Sequence, residues 1–311
     1  MPTQLPFPID AELTAIAVMY SNRRLIADLV LPRVPVGKRE FKFKKWNLGD
    51  GFTVPNTLVG RKSVPNQVSI GYTEQEQSVF DYGLDDLVPN DDIENAPAGY
   101  SPLGNATSFL SQLVALDREQ RVAAEVFGAS NYGSPNKTTL SGTSQWSHAS
   151  SNPVDAIISA LDSCVMRPTI AVFGQAVWSK VRQHAKVLEA IKSTGGAISS
   201  GTVTRQQFAD LFELEEVLVG EAFVNSAKKG QTPTLGRAWG KHAAFLYRDT
   251  VAAQAGQVTF GFTAEFGNRV AGTMPKPEVG MRGSQLVRVG ESVREVVCAP
   301  DLGYLFVDAV A

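Results

Sequence analysis

The run SPLGNATSFLSQLVALDREQRVAAEVFG, residues 101–128, carries the strongest helical pattern in the chain, and the rest is read outward from it. Ser101 stands where an N-cap is needed. Pro102 suits the first helical position, because the N–H it lacks would have no intrahelical partner there. Phe109, Leu113, Leu116, Ala123 and Phe127 recur at helical spacing, with Asp117, Arg118, Glu119, Arg121 and Glu125 expected on the wetter side. The pattern closes near Gly128, and a helix of that length spans about 40 Å at ~1.5 Å per residue. Such a helix is a beam on which other parts can rest.

Toward the N-terminus the chain is poor in core. Residues 81–94 hold six acids, Asp81, Asp85, Asp86, Asp91, Asp92 and Glu94, which read either as a solvated loop or as a docking surface for cations. Residues 36–75 read as an extended β loop. Phe41 and Phe43 alternate with Glu40, Lys42 and Lys44, and Val68, Ile70 and Tyr72 alternate with Gln67, Ser69 and Gly71, the period-2 signal of strands. Between them lies NLGDGFTVPNTLVGRKSVPN, residues 47–66, with little to pack. A two-stranded ribbon alone is marginal in water, so this flap needs a surface to lean on. It is basic, through Lys38, Arg39, Lys42, Lys44, Lys45, Arg61 and Lys62. Residues 1–35 form a proline-broken arm with a short helical pattern at Asp10–Tyr20 and the basic pair Arg23 and Arg24.

Toward the C-terminus, a polar connector at about 137–152 leads into alternating helix and strand patterns over residues 153–250. Pro153 opens a helix, Thr169–Phe173 reads as a buried strand and Ala176–Ile191 as a second helix. Thr204 with Gln207 makes a capping box for a short helix ending at Leu211-Phe212. Strands are expected at Glu216–Val219, Ala243–Tyr247, Val258–Phe262, Val293–Val297 and Tyr304–Val307, with a hairpin turn around Asp301–Gly303.

Composition narrows the function. The chain has 311 residues, room for about two domains. It holds 29 basic and 31 acidic side chains, whereas a dedicated nucleic-acid binder carries a basic excess. Cys164 and Cys298 leave room for at most one disulfide, and the N-terminus lacks the pattern of a secretory signal, so a reducing cytoplasm is expected. No apolar run approaches the roughly 18 residues of a spanning helix. His148, His184 and His242 lack metal-ligand spacing and read as loop, helix surface and strand end. The segment Gly236–His242 has two glycines and a lysine but precedes a strand, whereas a phosphate loop must open a helix. No residue is nominated as catalytic, and no cofactor or metal is expected.

The order of elements resembles the major capsid proteins of tailed bacteriophages with the HK97-type fold. Residues 20–32 (YSNRRLIADLVLP) look like the family's arm, Lys38–Trp46 like the entry to its extended loop, and Thr107–Ala129 like its spine helix. Residues 211–220 (LFELEEVLVG), followed by Ala222–Asn225 and Ala238–Lys241, are similar to its axial domain. The resemblance implies an α+β fold with arm 1–35, extended loop 36–75, a peripheral domain from 76–152 and 251–311, and an axial domain at 153–250. It implies a non-enzymatic subunit of an icosahedral phage head, made in the bacterial cytoplasm, whose partners are copies of itself in pentamers and hexamers. Separate scaffolding, portal and decoration proteins and unspecific contact with packaged DNA would complete the set. The arm pattern begins almost at Met1, so any scaffold is expected as a separate protein. The opposite charges of flap and acidic segment would then set register between copies. An encapsulin-type compartment, a tail or baseplate module, and an α/β enzyme with a polar cleft are the alternatives.

Overall fold

The computed structural model describes residues 25–46, 52–68, 72–97, 100–193, 201–228, 230–249 and 258–311. The chain begins there with a short helix α1 (Ala27–Val30) and strand β1 (Arg33–Pro35). Strands β2 (Glu40–Trp46) and β3 (Tyr72–Ser78) form an antiparallel ribbon, and β4 (Phe80–Pro89) follows with a short helix α2 (Asn90–Glu94). The long helix α3 is Pro102–Val126, with the Ser101 hydroxyl accepting the Gly104 N–H as its cap. Beyond it come β5 (Lys137–Thr139), α4 (Pro153–Ser163), β6 (Ile170–Gly174), α5 (Gln175–Val181), α6 (Ala185–Ser193), α7 (Arg205–Phe212) and β7 (Glu216–Gly220). The rest is β: β8 (Phe223–Asn225), β9 (Leu235–Arg237), β10 (Ala243–Leu246), β11 (Gly261–Glu265), β12 (Val270–Lys276), β13 (Ser284–Val297) and β14 (Gly303–Val307).

Two five-stranded sheets organise these elements. In the first, the 14-residue β13 is the centre: β4 pairs along one edge, and β12 and β11 share the other, with β1 parallel to β11. In the second the order is β5-β14-β10-β6-β7, with β6 and β7 parallel. This sheet is buried on both faces. Ala171, Phe173, Val217 and Phe245 meet helices α4 to α7 on one side; Ile170, Val172, Leu218 and Ala244 meet α1 and the end of α3 on the other. Strands covered on both faces lose the alternating pattern, which is why β6 reads as the unbroken run IAVFG.

Helix α3 joins the two sheets. Its first turns, through Ala106 and Leu110, pack on Val287 and Val289 of β13, and its last turns, through Val122, Ala123 and Val126, pack under the second sheet.

Several expectations are corrected. The buried face of α3 holds Ala106, Leu110, Val114, Arg118, Glu119, Val122, Ala123 and Val126; of the apolar residues expected there Ala123 is buried, whereas Phe109 is 57% exposed. Arg118 and Glu119, expected on the wet side, are shut away because partners await them inside: carboxylates for Arg118, and backbone and indole N–H groups for Glu119. The acidic segment is not a loop but β4 and α2; along the FDYGLDDLV run Val88 reaches the core while Phe80, Leu84 and Leu87 stay exposed. The second ribbon strand starts at Tyr72, later than read; Val68 is exposed, Ile70 lies outside the described residues, and the Phe41 and Phe43 face of the first strand packs on Phe262 of β11. Residues 301–303 do not turn a hairpin, since β13 and β14 lie in different sheets joined by a 3-10 turn at Pro300–Leu302. The helix expected at 176–191 breaks between α5 and α6, where His184 is buried against the Ser151 hydroxyl rather than lying on the surface. Both cysteines are free thiols, each pushed up to about 11 by burial. The Asp10–Tyr20 pattern lies outside the described residues.

Candidate assembly site

The charges singled out by sequence divide into pairs made within the chain and groups left over. On the ribbon, Lys42 stands directly across from Glu76 and bonds it at 2.7 Å, with Glu74 at 3.9 Å. Lys44 and Lys45 lie further along β2, opposite Glu74 and Thr73. At the ribbon root Arg39 holds Asp81 at 2.5 Å, and the Ser292 hydroxyl donates to the same carboxylate. The Arg39 contact, offset by slight burial, lowers the Asp81 pKa. Asp85 is gripped by Arg288 through two bonds of 2.7 and 2.6 Å, and Arg282 bridges Asp91 and Glu94. So among the described residues the basic flap and the acidic strand do meet, at Arg39 and Asp81, inside a single subunit. Arg282 and Arg288 are partners that the sequence reading missed, because register alone brings them beside β4 and α2.

What remains is complementary. Among the described residues Lys38, Arg61 and Lys62 on the flap, and Asp86 and Asp92 on the acidic segment, are exposed and form no ion pair. The flap also exposes Phe52, Val54, Leu58 and Val64, and β4 exposes Phe80, Leu84 and Leu87. Arg23 and Arg24 lie outside the described residues.

Beneath this surface lies a second polar cluster that no spacing rule pointed to. The Glu119 carboxylate accepts the backbone N–H of Ile26 (3.0 Å), that of Ala27 (2.8 Å) and the indole N–H of Trp239 (2.6 Å). It thereby caps α1, since those N–H groups have no intrahelical acceptor. Burial raises the Glu119 pKa despite these three donors. Trp239 fits only because residue 220 is glycine: a Cβ there would stand 2.0 Å from the indole Cδ1. Nearby, Arg118 bonds Asp28 and donates to the Thr263 hydroxyl at 3.0 Å, and Arg33 bonds Asp28, Glu265 and Glu291. Arg269 also reaches Glu291, and Arg121 reaches Glu295 at 3.1 Å. Burial works against the carboxylates of Glu291 and Asp28, yet the surrounding guanidiniums outweigh it and hold both below their ordinary values. The clamp ties residues 26–33 to α3, to the first sheet and, through Trp239, to the second. Ile26, Ala27, Val30 and Leu31 of the arm are thus core of their own subunit, with Leu31 wholly buried.

This arrangement offers contact surfaces and a rigid frame rather than reacting groups. Among the described residues no cluster of three metal-ligating side chains occurs and no helix is long and apolar enough to cross a membrane. Solved structures share the architecture. A phage-related protein of Bordetella bronchiseptica RB50 superposes with a TM-score of 0.76 at 22% identity, over 98% of this chain and 99% of that one. A capsid structure of cyanophage P-SCSP1u gives 0.61 at 12% identity, over 93% and 90%. The fold is that of the HK97-type phage capsid proteins. The phage major capsid protein E family matches residues 126–298, and a major capsid protein of Pseudomonas phage JBD67 is 53% identical over 98% of both chains. The chain belongs to the phage major capsid protein E family: it is a structural protein of the virion and not an enzyme.

Proposed function

We propose that the subunit closes an icosahedral head around DNA from pentamers and hexamers of itself, with the β2–β3 flap of one copy lying on β4 and α2 of the next. The observation that carries this reading is the leftover charge. Lys38, Arg61 and Lys62 have no counter-ion among the described residues of their own chain, and neither do Asp86 and Asp92. Apolar side chains accompany both sets. Lys44 and Lys45 on β2, and Arg23 and Arg24 ahead of α1, belong to the same proposed contact. The second sheet with α4 to α7 serves as the axial domain at the vertices, and the sheet around β13 as the peripheral domain. Contact with the packaged DNA is weak and unspecific, because net charge is −2 and phosphate neutralisation drives such binding. Scaffolding, portal and decoration proteins are further partners this reading expects.

Electron microscopy of the protein, with particle mass measured in parallel, tests the reading. Closed shells are expected, alone or with co-expressed scaffold candidates; a uniform small oligomer under every condition overturns it. Within a shell-forming background, Arg61→Glu with Lys62→Glu should leave the subunit folded and cut shell yield, and Asp86→Lys with Asp92→Lys should restore it. Unchanged yield from the first pair removes the proposed contact.

A further inference from the structure

The second sheet carries opposite charge at its two ends. Strands β6 and β7 run parallel and finish together at Gly174 and Gly220. Just beyond lies a cup of about 270 Å³ lined by Gln175, Arg182, Thr204, Arg205 and Glu221 among others. That is below the usual size of a small-molecule pocket, and suits a side chain or two. Arg182 donates to the Thr202 hydroxyl at 3.2 Å, while its Nε–H is buried without an acceptor among the described residues. Arg205 and Arg237 both lean on Glu221, through its carboxylate at 2.9 Å and its carbonyl at 3.0 Å. Lys241, exposed in the turn before β10, lies at the same end. Among the described residues these four cations share that end with Glu221 and, past β14, Asp308.

At the other end of the same strands the balance reverses. Asp162, Glu213, Glu215 and Glu216 outnumber Arg167 and Arg248. Glu215 is exposed and has no ion pair among the described residues. Glu213 closes α7 with φ 57°, the left-handed conformation that glycine adopts freely and other residues do not. Its side chain is 78% exposed and among the described residues pairs with Arg167 at 3.4 Å, a surface pair of little consequence for stability. Folding alone would favour glycine there.

We infer that the acidic turn Glu213–Glu215 of one copy enters the arginine-lined cup, Arg182 and Arg205, of the next, in a head-to-tail contact that closes into a ring. Different patches on the two copies are what a cyclic assembly of more than two subunits requires. The inference rests on the shell reading and specifies the surface by which axial domains meet.

Four variants and the parent chain test it, with ring formation read by native mass spectrometry and folding by thermal unfolding. Glu213→Lys with Glu215→Lys should give folded subunits without rings, and so should Arg182→Glu with Arg205→Glu. A chain carrying all four changes has both patches reversed and should form rings again. An equimolar mixture of the two defective chains should yield hexamers holding equal numbers of each, since alternation closes only in even rings. Glu213→Gly separates fold from contact: unfolding temperature should hold or rise while ring formation weakens roughly tenfold. Parental ring formation by either charge-reversed chain, or by Glu213→Gly, overturns the inference, as does failure of the fourfold chain to recover. If the parent forms neither rings nor shells, the shell reading itself fails.

Discussion

The clamp under the arm root and the ribbon above it use the same chemistry, arginine and lysine against carboxylate, in opposite surroundings. In the clamp, Arg118, Glu291 and Glu295 keep 2%, 0% and 5% of their side-chain surface in contact with water. On the ribbon and β4, Arg39, Lys42 and Asp81 keep 54%, 59% and 58%. A buried ion pair whose partner is removed leaves a stranded charge, so its members fix one arrangement of the chain around them. A half-exposed pair is already satisfied by water and can be exchanged for a different partner at little cost. The clamp therefore belongs to the subunit, and the ribbon is free to belong to the shell.

Removing the clamp's central cation gives the largest expected effect. Arg118→Ala empties the space of a fully buried side chain, leaves the buried Thr263 hydroxyl without its donor and leaves Glu295 to Arg121 alone, while the half-exposed Asp28 keeps Arg33; it should lower stability by about 3–5 kcal/mol, measured by chemical unfolding of the unassembled subunit. A loss within a few tenths would show that the cluster is not a unit. Glu119→Ala leaves two backbone N–H groups and an indole N–H without their acceptor and should cost about 2–4 kcal/mol. Glu119→Gln, which keeps an acceptor oxygen, should cost less; equal losses would mean that the charge and not the hydrogen bonding holds α1. On the ribbon, Asp81→Asn should cost under about 1 kcal/mol and leave the unfolding midpoint almost unmoved. A loss as large as that of Arg118→Ala would erase the contrast.

The smallest effect is one of pH. His242 accepts the Asp308 N–H on Nδ1, and burial, only partly offset by Asp308, holds its pKa below the ordinary value. Its contribution is therefore present above about pH 6.5 and lost as pH falls through the lower value it has in the fold. His242→Asn should flatten the stability profile across that interval; an unchanged slope would assign the titration to another group.

Much of the frame was legible in the chain because local signals sufficed for it. The cap at Ser101, the capping box at Thr204 and the all-apolar run of β6 need only near neighbours in sequence. What escaped notice depends on distant pairing. The face of α3 was misjudged because its charged residues 118 and 119 meet Asp28 and Trp239, 90 and 120 positions away. Which sheet β14 joins is likewise set by hydrogen bonds to β10 and not by its own composition. That sheet takes β5 and β14 from outside the 153–250 span read as axial. The assembly surface was half legible: the charged segments stood out, but which of their charges are consumed at home depends on register.

Strands β3 and β4 have a mechanical consequence. Residues 72–89 run in one extended line, interrupted only at Val79, which is buried and donates its N–H to the Arg39 carbonyl at 2.9 Å. Seven residues of that line are bonded to β2 and ten to β13, on which α3 rests. A pull on the far end of the ribbon is thus delivered lengthwise into the sheet, where a row of ladder bonds must shear together instead of opening one by one. The same line that reaches outward is a tendon. Strain arising between neighbours as pressure builds inside a particle would be carried through Val79 to the longest helix of each, spreading the load across the wall.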